Sequence, residues 1–339
     1  MNPNTSTGNR ELLETLLLNP AGTSLIDKVQ AFIKQQALNW PALMKARVQL
    51  AQAVTRTVTL EDFEVTLQFN PARIVSAQSA VDAESIRQRP CFLCPHNLPR
   101  EQRALLYQDT WLILNNPVPL FLNHLVVSSL KHAPQRLSDA LPTMISLVAD
   151  LEFKFCAFYN GPACGASAPD HVHFQMAPER TIPLIEQLVD GMDTNAEKPG
   201  LIKLTCDREG SCYGGYSDNR SFFFCATQNP GYLLERLRHI VARLPAASDS
   251  PLEPMLNLII AGNAGTYYGL LFPRRAHRPQ CYFKPEPDAL LVSPGAVDVA
   301  GLIIVPRSED FKKIDKNTIL KIYQDVCHGR DVFEGSPDL

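Results

Sequence analysis

The chain has no stretch that reads as a membrane span. Its longest apolar runs, such as LNLIIAG and AGLIIVP, fall far short of the roughly 20 residues that a transmembrane helix requires. The N-terminal MNPNTSTGNRE has no basic stretch leading into an apolar one, so no export signal is read there and the cytoplasm is the expected location. Positive charge is not in surplus either. A formal net charge of -3 argues against non-specific binding to nucleic acid or to a membrane surface, both of which need a concentrated basic face. A small anionic ligand, met by a few local cations, remains compatible with it. Finally, there is no even set of closely spaced cysteines. Nine of them, scattered along a chain without an export signal, read as reduced thiols or metal ligands rather than as a disulfide framework.

What is present suffices for a real core. A length of 339 residues suggests two domains, or one large unit built from two similar halves. With 45% hydrophobic and 20% charged residues the chain is ordinary for a globular protein, and 27 prolines imply many loops and strand edges. Residues 11–18 and roughly 24–54 space their apolar side chains as helices do, with Pro41 as a break, which defines a helical N-terminal extension over residues 1–60. From Phe63 the period changes: Phe63, Val65, Leu67 and Phe69 alternate with polar neighbours, as in a strand.

Residues 61–195 are expected to form a first, chemistry-bearing half. It holds a loop RPCFLCPHNLPREQ, strands at TWLILNN and HLVVSSL, a helix from Leu137 to about Phe158, and a loop NGPACGASAP leading into a strand DHVHFQMAP. Residues 196–339 are expected to form a second half with a helix at LLERLRHIVARL, strands at MLNLIIAG, YYGLLFPR and GLIIVP, and a last helix at ILKIYQDV. A further flexible point is read at AASDSPLEP. The segment LNLIIAGNAGTYYGLLFPRRAH echoes LILNNPVPLFLNHLVVSSLKH in order and length, as a duplicated half would after losing its catalytic strand. The mixture of elements is α+β.

Chemistry concentrates in His171-Val172-His173-Phe174-Gln175. On a strand the two histidines and the glutamine project to one side, and Val172 and Phe174 to the other. The competing reading is a half-exposed strand that carries histidines without chemistry. Just upstream, the small residues from Asn160 to Ser167 let backbone N–H groups approach an anion closely. Cys91 and Cys94 have the spacing of a zinc knuckle, for which His132 and His171 are candidate third and fourth ligands and His96 an alternative. An incidental CxxC is the bland counterpart of that reading.

The run Asn160-Gly161…Gly165…Ser167…His171-x-His173-x-Gln175 resembles the active-site stretch of the galactose-1-phosphate uridylyltransferase branch of the histidine-triad superfamily. That branch also includes diadenosine tetraphosphate phosphorylases and plant GDP-L-galactose phosphorylases. The resemblance implies a HIT-like antiparallel sheet with flanking helices, in two related halves. It implies that His173 attacks the α-phosphorus of a nucleotide, that Gln175 hydrogen-bonds the bound phosphoryl group, and that Asn160, Gly165 and Ser167 lie on the phosphate side. Gly165 and Ser167 stand one residue farther from His173 than in the uridylyltransferases. The Cys91, Cys94, His132, His171 set is similar to a structural zinc site of some members. Asn115 and Asn116, in a strand-turn-His-strand signature with His124, become nucleoside-site candidates, His124 itself reading as structural.

Arg73 and Lys131 are candidate phosphate-neutralising cations, as are Arg274, Arg275 and His277 from the second half, although single basic residues are more often solvated. The expected activity is nucleotidyl transfer or phosphorolysis on a nucleoside diphosphate sugar or dinucleoside polyphosphate, with phosphate or a sugar 1-phosphate as acceptor. Neither nucleic acid nor membrane is an expected partner, and a homodimer is one option for the assembly. Two other classes compete: a metal-dependent phosphoester or pyrophosphate hydrolase using both histidines as ligands, and a nucleotide-binding module without catalysis.

Overall fold

The computed structural model describes residues 11–78, 82–193, 201–246 and 252–333; the boundary expected near residue 195 and most of AASDSPLEP fall outside them. Among the described residues no helix is long and apolar enough to cross a membrane. The N-terminal segment begins with a helical turn at residues 11–16 and continues into α1 (Leu25–Asn39) and α2 (Pro41–Ala51). Ser24 caps α1 in a reciprocal box with Asp27, and Pro41 sits at the first position of α2, where its missing N–H costs nothing. Ile26, Val29, Phe32 and Ile33 of α1 are buried against the main sheet.

That sheet has ten strands, all neighbours antiparallel: β3 (Ala104–Tyr107), β4 (Trp111–Asn115), β5 (Leu125–Ser129), β7 (His173–Pro178), β6 (Phe155–Asn160), β11 (Leu256–Asn263), β12 (Thr266–Pro273), β10 (Arg220–Thr227), β9 (Gly210–Ser217) and β8 (Leu201–Cys206), in that spatial order. The first five read 3-4-5-7-6; the other five, counted inward from the opposite edge, read 8-9-10-12-11. In each set a helix separates the third strand from the next: α3 (Leu137–Asp150) after β5 and α5 (Pro230–Val241) after β10. The two sets repeat one topology and meet where β6 pairs with β11, Asn160 opposite Asn257. Helices α1, α3 and α5 cover one face. The other carries α4 (Pro183–Asp193), a three-stranded sheet and α6 (Lys316–Val326).

Several sequence expectations shift. The helix expected to run to Phe158 ends at Asp150; Glu152 and Phe153 take left-handed φ of 53° and 60°, and FCAFYN becomes β6, a central strand whose burial on both faces hides its period of two. The meander β8–β10 has no counterpart among the sequence expectations, although its Asp218-Asn219 turn, with φ of 52° and 62°, suits a tight hairpin. The second half has not lost a catalytic strand, because β12 occupies the position that β7 holds in the first. Its sequence, TYYGLLFP, simply bears no histidine.

GLIIVP does become a strand, β13 (Leu302–Val305), but it pairs in parallel with β2 (Glu64–Phe69) from the first half, beside β1 (Val54–Thr59). Cys212 and Cys225, read as thiols, stand opposite each other on β9 and β10 and form a disulfide with Cα atoms 4.1 Å apart. Arg274 is a structural cation rather than a phosphate ligand. It is 1% exposed, its Nε donates to the Val326 carbonyl at 2.9 Å, and its Nη atoms bond Asn257 Oδ1 and the carbonyls of Pro294, Ala276 and His277. Replacing it leaves several buried acceptors without donors, so Arg274→Met is expected to destabilise the chain by at least about 3 kcal/mol. A shift of the urea midpoint at unchanged slope measures this.

Candidate active site

Strand β7 begins at His173, so His171, expected on the same strand face as His173 and Gln175, lies in the loop before it. Its ladder places His173 opposite Ser128 of β5, and Gln175 between Val126 of β5 and Phe158 of β6. Phe174 and Met176 enter the core under the helices, which turns His173 and Gln175 to the opposite face. His173 is 5% exposed. Its Nδ1 is 2.8 Å from the His171 carbonyl. A carbonyl can only accept, so Nδ1 carries the proton and Nε2 keeps a lone pair. Burial pushes this imidazole down to about 4, the carbonyl bond opposing the shift, and it is neutral at ordinary pH.

His171 faces another way. Its Nε2 donates to the Ser129 carbonyl at 2.7 Å, and its Nδ1 is 3.3 Å from Cys91 Sγ, 3.6 Å from Cys94 Sγ and 3.3 Å from His132 Nδ1. Cys94 Sγ lies 3.3 Å from His132 Nδ1. The four donor atoms, all within 4.8 Å of one another, form a set that could hold a metal ion. In a tetrahedral site with S ligands at about 2.3 Å and N ligands at about 2.0–2.1 Å, S and N stand about 3.6 Å apart and two N about 3.3 Å apart. The observed spacings fit that tetrahedron. His96, the alternative, is not in the set.

Gln175 belongs to a polar chain. The Leu120 N–H donates to His124 Nδ1 at 3.0 Å, which fixes the His124 proton on Nε2, facing the Gln175 side chain. Asn116 Nδ2 donates to Gln175 Oε1 at 3.4 Å, and Asn116 Oδ1 accepts from the Val118 N–H at 2.9 Å. With its oxygen so engaged, the Gln175 amide still has N–H groups to donate. Arg73 donates from Nη1 to the Val118 carbonyl at 3.0 Å, and its charge acts on both Asp298 and His124.

The remaining sequence candidates separate. Strand alternation puts Asn115 on the face of Ile113, away from Gln175, with Nδ2 lacking a protein partner. Asn160 spends its Oδ1 on Asn257 Nδ2 at 3.0 Å and on the Ala296 N–H at 2.7 Å, joining the two halves. Gly165 has φ of 106°, and a Cβ there would come within 3.0 Å of Gly295, so it serves the same joint. Ser167 and Lys131 are exposed, and Arg275 is too.

Two residues escaped sequence reading. Arg89 braces the loop before the histidines, donating to Asp170 Oδ1 at 2.9 Å and to the Ser167 carbonyl at 3.2 Å. Gln135 binds the backbone of His173 itself. Both are isolated polar residues far from the motif in sequence, and no local pattern marks them. Two cavities, of about 590 and 270 Å³, lie elsewhere, the first lined by Arg136, Leu141 and Arg238 and the second by Cys156, Arg180 and Tyr268; neither includes His173.

Residues 32–178, from α1 to the end of β7, match a family described as Domain of unknown function (DUF4922). A comparison with curated proteins finds no match. Among solved structures, the chain is similar to yeast Ap4A phosphorylase Apa2 in complex with Ap4A, with a TM-score of 0.59 at 16% identity, over 89% of this chain and 97% of that one. The same enzyme in complex with AMP gives 0.57 at 17% identity, over 89% and 96%. Without either ligand it gives 0.54 at 16% identity, over 88% and 94%. The likeness is one of fold, and it is the HIT-like fold that the sequence implies.

Burial pushes His124 and His277 down to about 3, with Arg73 adding to the shift at His124 and Arg278 and Arg274 at His277. Both are neutral in the folded chain, whereas the unfolded chain protonates them near their ordinary value of about 6.5. Their stabilising effect is therefore complete above about pH 6.5 and is lost as pH falls toward 3. For His124 alone the loss at pH 5 is about 2 kcal/mol. Urea midpoints measured from pH 7.5 to 5 should fall, and His277→Gln should fall less steeply than the parent.

Proposed function

We propose that this protein transfers nucleotidyl groups through a covalent intermediate on His173, as a phosphorylase or nucleotidyltransferase acting on a dinucleoside polyphosphate or a nucleoside diphosphate sugar. The observation that carries this reading is the tautomer of His173: Nδ1–H is committed to the His171 carbonyl, and Nε2 offers its lone pair on the face shared with Gln175. In the first step Nε2 attacks the α-phosphorus. The P–N bond forms as the P–O bond to the leaving nucleoside polyphosphate or sugar phosphate breaks, and the electron pair leaves with that oxygen. In the second step an oxygen of inorganic phosphate or a sugar 1-phosphate attacks the same phosphorus and expels the neutral imidazole. The amide N–H groups of Gln175 and the guanidinium of Arg73 supply donors where charge gathers on the nonbridging oxygens. Asn116, held by the Val118 N–H and bonded to Gln175, is our candidate for the ribose end of the nucleotide.

Cys91, Cys94, His132 and His171 would hold zinc, which suits a set of two sulfurs and two imidazole nitrogens at tetrahedral spacing. Bound there, it supplies a rigid anchor for His171, whose carbonyl orients the nucleophile. A set of four protein ligands is closed, and His173 is outside it with Nδ1 already bonded. Both features favour a structural metal over the hydrolase alternative, which needs an open coordination position and both histidines as ligands.

Intact mass spectrometry after mixing the protein with UDP-, GDP- and ADP-sugars and with diadenosine polyphosphates should show one added nucleoside monophosphate, absent from His173→Ala. Equal turnover with and without phosphate or sugar phosphate would identify water as the acceptor and overturn the transfer reading. Elemental analysis should find one zinc per chain. Cys91→Ser should lose most of it and slow adduct formation about 10–100-fold, the usual cost of loosening a group that orients a site.

A further inference from the structure

The register of β6 and β7 runs Phe155 opposite Pro178 to Phe158 opposite Gln175, and two residues further along it would pair Asn160 with His173. That pair does not form. The strands part there, and the side chain of Gln135, from the segment leading into α3, occupies the gap. Its Oε1 accepts from the His173 N–H at 2.8 Å, and its Nε2 donates to the carbonyls of His173 at 2.9 Å and Asn160 at 3.0 Å. Gln135 is wholly buried, and its own N–H donates to the Pro169 carbonyl at 3.0 Å, so the amide is held at its base as well. One carboxamide thus binds both backbone groups of a single residue, and that residue is the proposed nucleophile.

We infer that Gln135 is a positioning residue for His173. It lets the sheet open at the site while keeping the His173 backbone as fixed as a paired strand would. A direct β6–β7 bond at this level would draw Asn160 toward His173 and away from Asn257 and Ala296, which its side chain joins across the two halves. Among the described residues, no other bond to the His173 main-chain N–H or carbonyl substitutes for these: Ser129 of β5 donates instead to the Val172 carbonyl. Without Gln135 the tilt of the imidazole about its backbone is free to vary by the ångström-scale amount that costs an enzyme about 100-fold.

This inference rests on the reading of His173 as the nucleophile, and its test includes a readout that does not. Gln135→Leu removes all three bonds at similar volume. Gln135→Glu keeps the acceptor for the His173 N–H and serves if the leucine variant does not fold. For each, four quantities are compared with the parent: thermal midpoint, metal content, AMP affinity, and the single-turnover rate of adduct formation by intact mass. Nitrogen-15 spectra of the histidine side chains supply the independent readout, His173 being assigned by the signal lost in His173→Gln.

The expected result is a folded variant with metal content intact and AMP affinity within about 3-fold, whose adduct forms about 100-fold more slowly. Its His173 signals should broaden or divide between tautomers. An unchanged adduct rate and unchanged His173 signals in a folded variant would overturn the inference. So would a parallel loss of metal, affinity and rate, which is the mark of a merely structural residue. If the parent itself forms no adduct with any donor, the nucleotidyl-histidine reading fails, and the His173 spectra alone still decide what Gln135 does.

Discussion

The bond from His173 Nδ1–H to the carbonyl of His171 sets the chemistry available to this site, because it determines which ring nitrogen holds the lone pair. The bond joins residues two apart in the chain, so its geometry depends on the segment between them being held at both ends. At one end His171 is fixed through Nε2 to Ser129 and through Nδ1 to the Cys91, Cys94 and His132 cluster. At the other, Gln135 clasps the backbone of His173. The loop just before is braced by Arg89 on Asp170. An imidazole kept neutral by burial, with its proton committed to the backbone, keeps the lone pair on Nε2.

The repeated topology explains why one half carries this apparatus and the other does not. The face of β12 and β10 that corresponds to the His173 face is packed with Phe222, Phe224, Leu270 and Phe272, covered by Phe63, β13 and α6. Arg220, wholly buried, lies 4.4 Å from the Tyr323 ring beneath them. The second half has filled its cleft and spends its polar groups on joining the first. Asn257, Ala296 and Gly295 meet Asn160 and Gly165, so residues that read as phosphate contacts hold the two halves in register.

The sequence by itself determined the parts whose partners are close in the chain or whose period is plain. Alternation in HFQ separates His173 and Gln175 from the core side chain Phe174 because a strand has a period of two, and CxxC announces paired sulfurs because two ligands on one tight loop need that spacing. The α+β class and the amphipathic helices were legible for the same reason. Tertiary structure alone decided the rest. Central strands such as FCAFYN are apolar on both faces and carry no period to distinguish them from a helix. The pairing of β2 with β13, the Cys212–Cys225 bond and the ties of Asn160, Arg274 and Gln135 join residues distant in sequence. A side-chain amide or guanidinium has no intrinsic preference for a phosphate over a backbone carbonyl; which one it meets depends on what the folded chain brings within about 3 Å of it.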